Sequence, residues 1–212
     1  MPRPTTSPQE TELSSVNSIL MAIGQAPINK LYNDENGELV FTNPEVSFVY
    51  NLLQEVNRDV QNEGWVFNRE NHYPITPDCN NNIVLPDNIL RFDVSEGQIY
   101  RTSDVVRRDG KVYDKLHHSF EFACPLCVDI VWLFPYEDLP SVFKRYITLR
   151  ASGRAAAQLV SNQQLVQSLA TQEAQLRAAC MEYECNQGDH TFMGTPDHTV
   201  YQSFQPYRSL MR

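Results

Sequence analysis

The chain has 212 residues, of which 42% are hydrophobic and 20% charged. That composition is globular and long enough to bury its own core, and it excludes a disordered chain, a collagen and a coiled-coil rod. With 17 Lys and Arg against 26 Asp and Glu the net charge is −9, which argues against the clustered cationic surface that grips nucleic acid.

Residues 1–10 are rich in Pro, Ser and Thr, lack an apolar leader region and read as a flexible arm. Leu13, Val16, Ile19, Leu20 and Ile23 share one helical face, predicting a first helix over 12–23 that Gly24 stops. Asn36-Gly37 predicts a tight turn before a short strand at Leu39, Val40 and Phe41. The second helix is the clearest. Asn43 caps it, Pro44 opens it, Val46, Val49, Leu52, Leu53, Val56 and Val60 form its apolar stripe, and Gly64 ends it.

From Trp65 to Phe134 the period changes to two. Leu90, Phe92 and Val94 alternate with polar residues, as do Phe120 and Phe122. Arg108-Asp109-Gly110-Lys111 reads as a hairpin with a primed turn, and the apolar run 127–133 predicts the central strand. A third helix is expected after Asp138, with Pro140 in its first turn, running to about Val160. Its small residues at Ala151, Ser152, Gly153 and Ala155 to Ala157 would let another helix approach. A fourth helix is expected over 163–185, closed by Asn186-Gln187-Gly188.

The final stretch has no period, yet it interleaves Phe192, Tyr201, Phe204 and Tyr207 with Pro196, Pro206 and Arg208. Such a segment either packs on its own body or docks on a partner. The segregated runs predict an α+β fold. A four-helix bundle comes from 11–64 and 138–187, with a small antiparallel β-domain, 65–137, inserted between helices 2 and 3. Arms flank it at 1–10 and 188–212, the latter extended and partner-docking. No internal repeat points to a solenoid or propeller, and no stretch approaches the ~18 apolar residues of a membrane span.

Few residues offer chemistry. Cys124 and Cys127 have the spacing of half a zinc site, but Cys180 and Cys185 would lie about 140° apart on a helix, and His117 and His118 would face opposite sides of a strand. Five cysteines are an odd, small set, read as reduced thiols of a cytosolic product. The stretch 32–37 resembles a calcium loop but has Tyr32 and Asn43 where first and twelfth ligands belong. Phosphate-binding loops, nucleophile elbows and HExxH are absent from the sequence. The expectation is no enzyme, no catalytic residue, no metal and no cofactor. A zinc-binding enzyme built on Cys124 and Cys127 is the distant alternative.

Charge is unevenly placed. Residues 1–70 hold ten acids against four bases, whereas 139–172 hold Lys144, Arg145, Arg150 and Arg154 and no acid. Opposite surfaces on one chain favour head-to-tail contacts between copies.

Four segments carry a resemblance to a known family. They are Asn43-Pro-Glu-Val-Ser-Phe-Val-Tyr-Asn-Leu-Leu-Gln-Glu-Val-Asn-Arg-Asp-Val-Gln-Asn-Glu-Gly-Trp-Val-Phe-Asn-Arg-Glu, Asp129-Ile-Val-Trp-Leu-Phe-Pro-Tyr-Glu-Asp-Leu-Pro, the stretch 145–155, and Ala179-Cys-Met-Glu-Tyr-Glu-Cys-Asn-Gln-Gly-Asp. Together they resemble the tail tubular protein A family, the head-to-tail adaptors of short-tailed double-stranded DNA phages, over about residues 12–208. The resemblance implies a structural virion protein, made in the host cytoplasm and placed at the base of the tail under the portal vertex. It implies a homo-oligomeric ring of 12 copies between the portal protein and a tail nozzle of tubular protein B type. Double-stranded DNA would pass through the lumen without specific binding, and no membrane is involved. Another tail completion or nozzle component is the nearer alternative.

Combined with the charge pattern, this gives two sets of expected contact residues. Glu45, Glu55, Asp59 and Glu63 of one copy would face Lys144, Arg150 and Arg154 of the next. Tyr201, Phe204, Tyr207 and Arg208 would anchor the ring to the portal.

Overall fold

The computed structural model describes residues 10–35, 38–41, 43–95, 103–160 and 162–188. Among the described residues the chain is α+β, with four α-helices and small antiparallel sheets. It divides into two compact units, one of residues 1–60 and 134–183, the other of 61–133 and 184–212.

The first unit is mostly helical. Helix α1, Glu12–Ala22, opens on a capping box in which Thr11 and Ser14 satisfy each other's backbone amides. It buries Ser15, Val16, Ile19 and Leu20. Strands β1, Tyr32–Glu35, and β2, Glu38–Phe41, pair antiparallel, with Tyr32 opposite Phe41. The Asn36-Gly37 turn expected between them lies outside the described residues. Helix α2, Pro44–Asn62, receives its first backbone bond at the Asn43 carbonyl, from the amide of Ser47. All six apolar stripe residues are buried.

Helix α3 is Ser141–Ala155 and begins two residues later than expected. Leu139 precedes a proline, which forces it extended (ψ 148°), and Pro140 stays extended too (ψ 142°). Asp138 therefore sits in a 3₁₀ turn, Tyr136–Asp138, and the Pro140 carbonyl takes the first helical bonds. Ala151, Ser152, Ala155 and Ala156 are buried as their small size allows, whereas a methyl built on Gly153 meets nothing within 4 Å, so that residue marks no close approach. The helix continues as a π-helical turn, Ala156–Val160. Helix α4, Gln163–Gly188, starts where the Asn162 side chain accepts from the amides of Gln164 and Leu165. It outlasts the expected end by three residues.

The second unit holds the β structure. Strands β3 (Arg69–Ile75), β7 (Leu126–Trp132) and β4 (Ile89–Val94) form an antiparallel sheet in the order β3-β7-β4, with the apolar run at its centre. Ile83, Leu85, Ile89, Val94, Val105, Val112, Phe122, Leu126, Val128 and Ile130 are its core. Strands β5 (Val105–Arg108) and β6 (Lys111–Asp114) make the expected hairpin. Asp109 (φ 51°) and Gly110 (φ 71°) both take the left-handed conformation that a two-residue primed turn demands. Residues 119–122 form isolated bridges, Asn82 with Glu121 and Asp114 with Ser119, instead of the strand expected there. His117 and His118 likewise lie in a turn, organised by the nearly buried Asp114 carboxylate.

Candidate functional site

The expected contact helices are the natural place to look. Both belong to the first unit, and their charges meet inside one copy. The two guanidinium nitrogens of Arg154 reach Glu55 at 3.2 Å and Asp59 at 2.7 Å. Helical periodicity explains the match: Glu55 and Asp59 are four residues apart on one face of α2, so one planar fork spans both. Arg150 lies 3.7 Å from Glu173 on α4 and donates to the Tyr146 hydroxyl, to which Arg177 also donates at 2.9 Å.

Lys144 is buried, at 3% exposure, and its ammonium donates to the Glu137 carbonyl at 2.7 Å while lying 5.9 Å from the Tyr136 ring centroid. Arg145 pairs with Glu10 at 2.9 Å. Of the acids expected at a subunit contact, Glu45 and Glu63 are exposed, and Glu55 and Asp59 lie beside Arg154. The expected portal anchor, Tyr201, Phe204, Tyr207 and Arg208, lies outside the described residues.

Sequence reasoning missed the polar pins that hold these helices in register. The Tyr136 hydroxyl meets Ser15 of α1 at 2.8 Å, Thr148 of α3 at 3.1 Å and the Lys144 carbonyl at 3.2 Å. Burial pushes its pKa up. Glu12 of α1 accepts from Tyr50 and Gln54 of α2. In the second unit Asn68, 1% exposed, accepts from the Trp65 amide and donates to the carbonyls of Gln61 and Trp132. A polar residue four positions past a helix-ending Gly64 is the signal that could have found it.

The cysteines do not gather. Cys79, Cys124, Cys127 and Cys185 are exposed and unpaired as disulfides, and Cys180 is buried with its Sγ 3.8 Å from the Val142 carbonyl. Among the described residues no three His, Cys, Asp or Glu side chains come together in a way that could hold a metal ion, and no helix is long and apolar enough to cross a membrane. The arrangement is an architecture of helix-to-helix ion pairs and buried hydroxyls.

The family model of the tail tubular proteins matches residues 13–190. The chain belongs to the tail tubular protein family. Among the described residues the match runs through the four helices and three sheets, so both units share in it. No curated protein matches the chain significantly. Membership makes it a structural protein of a phage tail, located in the virion tail and assembling there with other tail proteins.

Proposed function

We propose that the chain is the head-to-tail adaptor, a ring of 12 copies beneath the portal that continues the channel through which the genome leaves, with the tail nozzle on its far side. The observation that supports it most is the family match from 13 to 190. The acidic balance, net −9, suits the lumen of such a ring, because a negative wall lets double-stranded DNA slide without sticking. The helical bundle of 11–64 and 138–187, the inserted β-domain of 65–137 and the arms at 1–10 and 188–212 belong to the same proposal. So do the portal anchor at Tyr201, Phe204, Tyr207 and Arg208 and subunit contacts through the exposed Glu45 and Glu63, whereas Lys144 is buried and Arg150, Arg154, Glu55 and Asp59 already have partners inside one copy.

Antibody fragments against the chain, imaged on purified particles, test the placement. Label at the head–tail junction supports the adaptor, and label at the distal tail tip makes it a nozzle component. Deleting 200–212 should leave the melting curve unchanged and abolish attachment to the portal. Normal attachment by the truncated chain would refute the anchor.

A further inference from the structure

The β5–β6 hairpin has two faces, set by its register. Val105, Val112 and Asp114 are buried on one of them. The other carries Arg108 directly opposite Lys111 and Val106 directly opposite Tyr113. Arg108 is exposed, and Lys111 and Tyr113 are half-buried.

Two like charges directly across a ladder repel, so the Arg108–Lys111 pair weakens the hairpin unless an anion answers it. Their neighbours are answered. Arg107 has the Asp87 carboxylate at 2.8 Å, and Lys115 has that of Asp104 at 2.6 Å. Among the described residues neither Arg108 nor Lys111 has a carboxylate within ion-pairing distance, not even Asp109 at the turn between them. This occurs in a chain whose 26 acids outnumber its 17 bases.

Arg108 is also held in place. Its guanidinium carbon lies 4.1 Å from the centroid of the Tyr113 ring. That ring is braced edge-on by Phe120 at 4.9 Å, and its hydroxyl lies 3.4 Å from Nδ1 of His118. A guanidinium stacked on a braced ring keeps its N–H edge outward and loses little freedom when an anion arrives. The turn beneath is fixed as well, because the Gly110 carbonyl accepts the Leu85 amide at 2.9 Å.

The geometry points to a site for a phosphate group on this face, held by the Arg108 fork and the Lys111 ammonium. A phosphate offers three or more oxygens and as many as two charges, enough to engage both cations, whereas one carboxylate answers only one of them. Free phosphate and the phosphodiester backbone of nucleic acid share that chemistry. The site does not depend on the adaptor reading.

The test is amide NMR of the full chain titrated with inorganic phosphate, ionic strength being held constant with chloride. Saturable shifts confined to residues 106–113 and the adjoining Val84 are expected, since Val84 bridges to Lys111. Arg108→Gln and Lys111→Gln should each weaken binding about tenfold or more. Arg145→Gln, at a cation already paired with Glu10, should leave it unchanged. A short DNA duplex then separates the sources. Displacement of phosphate by the duplex, weakening steeply with salt, assigns the site to the nucleic-acid backbone, and no displacement assigns it to free phosphate. Absence of saturable shifts, equal binding by both glutamine variants, or an equal loss in Arg145→Gln overturns the site.

Discussion

Replacing Asn68 tests how the end of α2 is tied to the sheet. Its amide group makes three hydrogen bonds in a site 1% exposed, to the Trp65 amide at 2.9 Å and to the Gln61 and Trp132 carbonyls at 2.8 Å each. In Asn68→Leu these three backbone groups keep their burial and lose their partner. At about 1–1.5 kcal/mol per bond the cost is about 3–4.5 kcal/mol, or about 10 °C in melting temperature for a chain of this size. The assay is urea unfolding followed by tryptophan fluorescence. The chain has 2 tryptophans, Trp65 and Trp132, and both flank this residue, so the signal reports the unit in question. Asn68→Asp sharpens the argument. It retains an acceptor for Trp65 but turns negative oxygen toward two carbonyls, so its deficit should shrink as falling pH protonates it. A loss below about 1 kcal/mol for Asn68→Leu would refute the pinning role.

Three further outcomes are expected. Burial pushes the Asp114 carboxyl up, but hydrogen bonds from His117, Leu116 and Asp104 outweigh that and hold it below its ordinary value of 3.8. Its contribution is therefore fully present above that ordinary value and lost as pH falls through the lowered one, so the stability gap between wild type and Asp114→Ala should close in acid; a gap independent of pH contradicts this. Gly64 has φ +81°, and a Cβ there would sit 3.0 Å from an Arg91 nitrogen and 3.2 Å from a Val131 methyl; Gly64→Ala should cost about 2 kcal/mol in chemical denaturation. Arg154→Glu would put three carboxylates side by side and should destabilise the isolated chain by about 1–2 kcal/mol, the partial exposure of the pairs limiting the effect; an unchanged melting curve would mean that the pairs carry no stability.

Local rules made much of the fold legible. The stripe from Val46 to Val60 has a strong helical period and a clear start at Asn43-Pro44, and the hairpin at Asp109-Gly110 is written in turn chemistry alone. The start of α3 was misplaced because Asp138 is a good capping residue, while Leu139 before Pro140 is sterically barred from the helix. Residues 119–122 alternate like a strand but find only single bridges, a matter of tertiary pairing that alternation does not encode. The charged helices were legible as a complementary pair. Sequence showed that they match and could not show that Arg154 meets Glu55 and Asp59 within the same chain, since intrachain and interchain pairing have the same chemistry. The buried pins at Tyr136 and Asn68 depend on contacts 121 and 64 residues away and left no local pattern.

The central claim is that this chain forms the adaptor layer between portal and nozzle. Negative-stain imaging of the purified chain mixed with its phage's purified portal, viewed end-on and side-on, tests it most directly. The account predicts an added twelve-fold layer on one end of the portal. A bare portal beside a monodisperse small protein would contradict it.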